Sequence, residues 1–316
     1  MNITILNDTD DKLGDNAEAR VGATPDIVKN YVASGHKVTV VKGAGKYANH
    51  YDADYKSAGA IISSSNKVAC KDADLVLSIT GKDAKFVAGL KSGSGITGLM
   101  NPTDNPKYAE ACAKANVTAF ALEYIPRISR AQSMDVLSSQ SNLSGYRAVV
   151  EGASIYGRAM PMMMTAAGTI APAKCFIMGV GVAGLQAIAT SRRLGAVTTA
   201  TDVRPATKEQ VASLGAKFIA VENEEFKEAE TAGGYAKQMS SEYQKLQAEL
   251  TASHIAKQDI VITTALIPGR AAPILVTKSM IANMRPGSVL VDLAAERGGN
   301  VEGAVPGKIV ATKNGV

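Results

Sequence analysis

The chain has few of the residues that build metal centres and disulfide frameworks. Its 316 residues include three cysteines and three histidines. Cys70, Cys112 and Cys175 form no C-x-x-C pair, and the histidines share no ligand spacing with them or with one another. We therefore expect neither a metal site nor a disulfide framework, and we interpret all six residues as core or surface groups.

Long apolar runs and clustered charge are also missing. The most apolar stretch, residues 160–189, is interrupted by prolines, glycines and a lysine, so it lacks the roughly 20 continuous apolar residues of a membrane span. The N-terminus shows no charged region, apolar core or cleavage site of an export signal. The 34 basic and 29 acidic residues leave a net charge of +5 that is spread along the chain. This diffuse charge argues against nucleic-acid binding, and the chain by itself is expected to be soluble.

What is present is an alternation of strand and helix patterns over a length that favours two domains. The pattern predicts two Rossmann-like, doubly wound α/β domains with parallel sheets, joined by a long helix. The predicted domains are residues 1–137, residues 138–300, and residues 301–316 as the start of a return to the first domain. Predicted strands are 2–6, 37–41, 59–62, 74–79, 95–99, 117–121, 217–221, 259–264 and 287–292. Predicted helices are 26–34, 52–58, 106–115, 208–214, 240–255 and 277–284.

The joining segment, residues 138–166, has a helical spacing of Leu143, Tyr146, Val150 and Ala153. It ends in a run of three methionines, Met162 to Met164. Methionine adapts to irregular gaps, so we expect these three side chains to fill a core.

A glycine motif after an apolar run is the most informative feature of the second half. Gly179, Gly181 and Gly184 follow a predicted strand and precede a helical pattern. In a dinucleotide-binding turn the first glycine allows the sharp turn, the second admits the pyrophosphate, and the third lets helix and strand pack closely. The phosphates would then lie at a helix N-terminus.

Asp202 ends the next predicted strand at about the distance from the glycines expected for a residue that binds the adenosine ribose. A carboxylate accepts both ribose hydroxyls and repels a 2′-phosphate, so NAD is favoured over NADP. Arg204 leaves two interpretations open, because its guanidinium could pair with a phosphate or with Asp202.

Two further segments are candidates for chemistry. Residues 127–138 place two arginines, an amide, a carboxylate and hydroxyls close together in the chain, which is either a reactive loop or a set of helix caps and ion pairs. Residues 222–239 are acidic at first and contain two glycines followed by Tyr235. They are either a lid over a nucleotide or a solvated connector.

These segments, Pro126 to Arg147 and Gly179 to Asp202, together with Thr264-Ala-Leu-Ile-Pro-Gly-Arg270 and Asp292-Leu-Ala, closely resemble the NAD(H)-binding component of proton-translocating NAD(P) transhydrogenases. The resemblance implies direct hydride transfer from NADH to NADP⁺ held on a partner component, without a general acid or base. It also implies a membrane-spanning partner, a homodimer, and a cytoplasmic or matrix-side location with peripheral attachment to the membrane. The residues implied to position the nicotinamide are Arg127, Gln132, Asp135 and Ser138. Those implied to bind the coenzyme are Ile128, Ser129, Gly179, Gly181, Val182, Gly184, Asp202, Val203, Arg204, Gly234, Tyr235, Ala265 and Leu266.

Two other functions remain open at this point. Alanine dehydrogenases share the two-domain plan but use a lysine and a histidine on the substrate side. Here Ser78 stands where that lysine is expected, and residues 96–103 contain no histidine. A non-catalytic NAD-binding module is the second alternative, in which residues 127–138 are only a joint.

Overall fold

The computed structural model describes residues 1–10, 18–126, 128–227, 239–267 and 270–316, which belong to two compact units. Unit 1 is Met1–Leu137 and unit 2 is Ser138–Val316. Each unit contains its own parallel sheet with helices between successive strands. The predicted class, two Rossmann-like α/β domains, is confirmed. No helix within the described ranges is long and apolar enough to cross a bilayer.

Unit 1 is built around a six-stranded sheet. Its strands are β1 (Asn2–Ile5), β2 (Lys37–Val41), β3 (Ile61–Ser63), β4 (Leu75–Thr80), β5 (Gly95–Leu99) and β6 (Thr118–Ala121). Their spatial order is β3-β2-β1-β4-β5-β6, all neighbours are parallel, and the order reverses between β1 and β4. In open sheets of this kind, the carboxyl ends of the strands at such a reversal form a crevice. The helices are α1 (Pro25–Ala33), α2 (Asp52–Ser57), α3 (Asn66–Ala69), α4 (Ala84–Ala88) and α5 (Pro106–Lys114).

The sequence pattern missed α3 and α4. Each is only about one turn long, too short to show an apolar period. Their signal is in the caps: the Ser65 hydroxyl accepts the Val68 N–H at 3.4 Å, and the Asp83 carboxylate accepts the Phe86 N–H at 2.7 Å. Such caps satisfy amide groups that have no partner within the helix.

Unit 2 contains a small hairpin and a five-stranded sheet. The long helix α6 (Val136–Ile155) begins with the last two residues of unit 1 and continues in unit 2. The hairpin is β7 (Met163–Thr165) with β8 (Gly168–Ile170), and the sheet strands are β9 (Lys174–Met178), β10 (Val197–Thr201), β11 (Lys217–Phe218), β12 (Ile260–Thr263) and β13 (Val289–Asp292). The sheet has the order β11-β10-β9-β12-β13 and is again entirely parallel. The remaining helices are α7 (Val182–Arg193), α8 (Thr207–Ser213), α9 (Glu224–Lys227), α10 (Ser241–Ile255) and α11 (Lys278–Ala282).

Both faces of the unit 2 sheet are covered. Cys175 and Ile177 of β9 pack in one apolar cluster, whereas Phe176 and Met178 pack in a second. Alternate side chains of a strand point to opposite faces, so the two clusters lie on the two sides of the sheet. Burial raises the pKa of the Cys175 thiol to about 12, which makes it an unreactive core residue.

Two expectations for residues 138–166 are wrong. Helix α6 ends at Ile155, and Met162, Met163 and Met164 are exposed at the start of the β7–β8 hairpin instead of filling a core. Leu143 and Tyr146 are exposed too, and the buried face of α6 consists of Gly145, Ala148, Val149 and Gly152. The reason is close packing: a Cβ on Gly145 would collide with the carbonyl oxygen of Ala183 in α7. Small residues, not the bulky apolar ones, therefore define the contact face of α6.

Candidate functional site

The glycine turn joins β9 to α7 at the carboxyl edge of the unit 2 sheet. Gly179 has φ +100°, a left-handed conformation that favours glycine. A Cβ on Gly179 would lie 2.6 Å from the Thr264 hydroxyl. A Cβ on Gly184 would collide with the carbonyl oxygen of Gly179. The fold itself therefore requires glycine at the first and third positions of the motif.

Gly181 is different. It has an ordinary extended backbone, with φ −81°, at the N-cap of α7. Among the described residues, nothing lies within 4 Å of the position that a Cβ on Gly181 would occupy. The fold would therefore tolerate a side chain here, and the absence of one keeps a surface open beside the first turn of α7. The N–H groups of that turn have no partner within the helix and attract anions, as a pyrophosphate-binding turn requires.

Asp202 follows β10 and connects the glycine turn to the neighbouring strand. Its carboxylate accepts the Val180 N–H at 2.7 Å and the Arg204 N–H at 2.9 Å. The Arg204 guanidinium donates to both carboxylate oxygens, with Nε at 2.9 Å and Nη2 at 3.0 Å. Of the two interpretations of Arg204, the structure contains the pair with Asp202. The Asp202 side chain is 7% exposed, which leaves one small accessible edge of a carboxylate.

Apolar side chains surround this edge of the sheet. Val182 begins α7, Val203 follows β10, and Leu266 and Ile267 follow β12; all four are exposed although they are large and apolar. The Thr264 hydroxyl donates to the carbonyl oxygen of Gly179 at 3.1 Å and joins the end of β12 to the glycine turn. Three adjacent strands thus place N–H groups, a carboxylate and apolar surface together, which are the groups that a dinucleotide needs.

The segment with the predicted nicotinamide residues belongs mostly to unit 1. Ser129–Met134 forms a short 3₁₀-type helix whose Ala131 is buried. The side chains of Ile128, Ser129 and Gln132 are exposed, and those of Asp135 and Ser138 are half-buried. Ser138 is the first residue of unit 2. Arg127 lies outside the described residues. Exposure of Gln132 leaves its amide accessible for binding.

Gly234 and Tyr235, in the predicted lid, also lie outside the described residues. The residues on both sides of that segment are held together at its base. The Glu225 carboxylate accepts the N–H and the hydroxyl of Ser240, the latter at 2.7 Å. Phe226 is buried between Phe218 and Tyr243, with ring centroids 6.1 and 6.4 Å apart. The two flanks of the segment are therefore fixed to unit 2.

Sequence reasoning missed a charged cluster at the strand reversal of unit 1. The nearly inaccessible carboxylate of Asp8 forms an ion pair with Lys82 and accepts the Ser78 hydroxyl at 3.1 Å and the Ile79 N–H at 2.6 Å. A lysine thus reaches this edge from the loop after β4, although Ser78 stands in the strand. The signal was a charged residue just after each of two central strands, which parallel pairing brings to the same edge. A carboxylate neutralises this lysine.

Comparisons with known proteins agree along the chain. Residues 14–144 match the family model "Alanine dehydrogenase/PNT, N-terminal domain", and residues 148–316 match "Alanine dehydrogenase/PNT, C-terminal domain". The first of the separate chains that make up the NAD(P) transhydrogenase alpha subunit of Rhodospirillum rubrum is 53% identical over 304 residues, which cover 95% of this chain and 79% of that protein. The crystal structure of transhydrogenase from Sinorhizobium meliloti has a TM-score of 0.88 at 52% identity, covering 99% of this chain and 83% of that one. A structure of L-alanine dehydrogenase has a TM-score of 0.76 at 25% identity, covering 98% and 78%.

Proposed function

The chain belongs to the alanine dehydrogenase/PNT family and is a transhydrogenase component of the alpha-subunit kind, and from this premise we propose that it binds NAD(H) and transfers hydride directly to NADP⁺ held on a partner component. The observation that carries the proposal is Gly181, whose missing side chain the fold does not require. A backbone surface kept open at a helix N-terminus fits a pyrophosphate. NADH, when bound, supplies the hydride: NADH is oxidised to NAD⁺ and NADP⁺ is reduced to NADPH.

This chain contributes binding and orientation to that reaction. The first turn of α7 and Gly181 accept the phosphates, and Asp202 accepts hydroxyls of the adenosine ribose and selects NAD over NADP. Val182, Val203, Ala265 and Leu266 contact the coenzyme, with Gly234 and Tyr235 of the segment after α9. Gln132 holds the nicotinamide amide or ribose in both redox states, because a neutral amide both donates and accepts hydrogen bonds. Arg127, Asp135 and Ser138 fix the position of that loop, with Ile128 and Ser129 as further contacts.

We place the partners in the same proposal. One partner binds NADP(H), another spans the membrane and couples hydride transfer to proton translocation, and this chain is attached peripherally as a homodimer. The exposed hairpin supports the homodimer. Within the described part of the chain, β7 and β8 pair with each other alone and expose Met163, Met164 and Ile170. An isolated two-stranded hairpin is marginally stable in water, so a second copy that covers it would stabilise it.

The decisive experiment combines this chain with a purified NADP(H)-binding component and NADH, and follows reduction of a spectrally distinct NADP⁺ analogue. We expect reduction that needs both proteins. The control omits this chain. Absence of NADH-dependent reduction, with both proteins folded and NADH bound, would contradict the proposed function.

Two further measurements separate the alternatives. The family relationship favours alanine dehydrogenase as the second candidate, but neutralisation of Lys82 by Asp8 leaves no free lysine in that pair. Robust NAD⁺ reduction with L-alanine would establish that candidate instead. Gln132→Asn separates catalysis from binding alone: we expect hydride transfer to fall much more than NADH affinity. Equal losses would favour a non-catalytic NAD-binding module.

A further inference from the structure

A fully buried asparagine lies behind the proposed coenzyme site. Asn300 has no exposed surface, yet its side-chain amide is well bonded. Its Oδ1 accepts the Ala265 N–H at 3.0 Å, and its Nδ2 donates to the carbonyl oxygens of Ala265 at 2.9 Å and Pro273 at 2.8 Å. One side chain therefore engages both main-chain polar groups of Ala265. Burial of an amide is costly unless such bonds are made, so the geometry around Ala265 is closely defined.

Asn300 is held in turn by Asp292, at the end of β13. One oxygen of the Asp292 carboxylate accepts the Asn300 and Val301 N–H groups at 2.8 and 3.1 Å. The other accepts the Thr263 hydroxyl at 3.1 Å and the Ala294 N–H at 2.9 Å. The carbonyl oxygen of Asn300 accepts two more N–H groups, from Leu275 and Val276. The loop after β13 is thus fixed before it supports anything else.

The chain turn that carries Asn300 depends on two glycines. Gly298 and Gly299 have φ +101° and +81°. A Cβ on Gly299 would lie 3.0 Å from the nearer oxygen of Asp292. These two positions allow the loop to wrap tightly around the carboxylate and direct Asn300 inward.

The segment that Asn300 supports leaves the sheet beside the glycine turn. Thr263 of β12 pairs with Met178 of β9, and Thr264 donates to Gly179. Ala265 comes next, held by Asn300, and Leu266 follows with 54% of its surface exposed. A large apolar side chain with so much exposure is held there by the residue before it. The buried amide thereby determines where Leu266 lies at the edge of the site.

We infer that Asn300, fixed by Asp292, is a positioning residue that holds Ala265 and Leu266 in the place where they contact NAD(H). The inference rests on the proposed function. Asn300 does not touch the coenzyme, and it acts through the main chain of Ala265. Loss of its amide leaves the 265–267 segment free to adopt other conformations, of which only a fraction can bind, and the apparent affinity falls by that fraction.

The test compares Asn300→Ala with Asn314→Ala. Asn314 is a matched control: its side-chain amide also donates to two main-chain carbonyl oxygens of unit 2, those of Ile281 at 3.0 Å and Met284 at 3.4 Å, around the end of α11. NADH affinity is measured by fluorescence titration, and Tm by thermal unfolding. We expect both variants to lower Tm, but Asn300→Ala to weaken NADH binding about tenfold and Asn314→Ala less than about twofold. Asn300→Ser, a milder change, serves if the alanine variant does not fold.

A double-mutant cycle with Leu266→Ala supplies a readout that a merely structural role would not change. If Asn300 acts by placing Leu266, the double variant binds NADH about as weakly as the weaker single variant. Full additivity of the two losses, or equal affinities for the Asn300 and Asn314 variants, would overturn the inference while wild-type binding upholds the proposed function. Wild-type protein that binds no NADH would overturn both.

Discussion

The carboxyl edges of the two parallel sheets differ in the residues that come after their central strands. In unit 1, β1 leads to Asp8, whose buried carboxylate pairs with Lys82 and accepts a hydroxyl and a main-chain N–H. In unit 2, β9 leads to Gly179 and Gly181, and nothing described fills the space beside Gly181. One edge is closed by the chain's own charges, and the other is left open. The fold provides two equivalent crevices, and a few residues after each strand decide which one can take a ligand.

The largest effect is expected from filling the open edge. In Gly181→Val, the new side chain should block the pyrophosphate and weaken NADH binding by about 100-fold or more. The free energy of unfolding should change by about 1 kcal/mol or less, because only a weak cap preference is lost. Titration calorimetry and urea unfolding measure the two quantities.

Gly157→Val is the matched control for that change. A Cβ there also meets nothing within 4 Å, and Gly157 does not lie in the glycine turn. Its NADH affinity should match that of the wild type. Unchanged affinity in Gly181→Val would show that the open space at the turn is not a binding surface.

The closed edge should respond in stability and not in binding. Lys82→Met leaves the carboxylate of Asp8 buried without its counter-ion, and should lower the free energy of unfolding by about 2 kcal/mol. NADH affinity should be unchanged. Adding Asp8→Asn removes the uncompensated charge and should recover much of the loss. Urea unfolding of the single and double variants checks this, and a fall in NADH affinity in Lys82→Met would mean that this edge also binds coenzyme.

A third change tests coenzyme selection at the open edge. In Asp202→Ala, NADH affinity should fall about tenfold, since the ribose hydroxyls lose their acceptor. NADPH affinity should rise, because Arg204 loses its carboxylate partner and can pair with the 2′-phosphate. The double variant with Arg204→Ala should show no such gain. Parallel titrations with NADH and NADPH measure the change, and a gain that persists without Arg204 would rule out this explanation.

The smallest effect concerns the pH dependence of unit 2. His254 of α10 accepts or donates a hydrogen bond to the Thr199 hydroxyl at 2.8 Å and packs edge-on against Phe176. Burial, and then the nearby Lys257, Lys217 and Lys174, lower its pKa from the usual 6.5. The unfolded chain therefore binds this proton more readily than the folded one. The resulting stability is present above about pH 6.5 and is lost as the pH falls through the lowered pKa.

We expect His254→Gln to reduce the drop in Tm of wild-type protein between pH 7.5 and pH 5.5, the amide retaining hydrogen bonding to Thr199. The histidine contribution is of the order of 1 kcal/mol per unit of pKa shift. Thermal unfolding at both pH values measures it. An identical pH dependence in the variant would show that other groups cause the drop.

Local patterns predicted much of this molecule. The turn at Gly179 and Gly184 is written into consecutive residues, because the close approaches it makes involve neighbouring elements of one strand-turn-helix unit. Asp202 could be located from its distance to that turn. The exposure of the methionine run could not be predicted, because hydrophobicity alone does not say whether an apolar side chain is buried by its own chain or left exposed on a hairpin. The four-residue helix α3 was missed because its cap carried the signal.

The sequence by itself determined two parallel α/β sheets and the glycine turn of one of them, since period and turn chemistry act over a few residues. Tertiary structure alone decided that Asp8 meets Lys82, that Arg204 turns to Asp202, and that Asn300 supports Ala265 from 35 positions further along the chain. Such pairs follow from strand order and loop geometry, which bring together groups that no local pattern relates. In this protein those distant pairs decide which sheet edge is closed and which remains open.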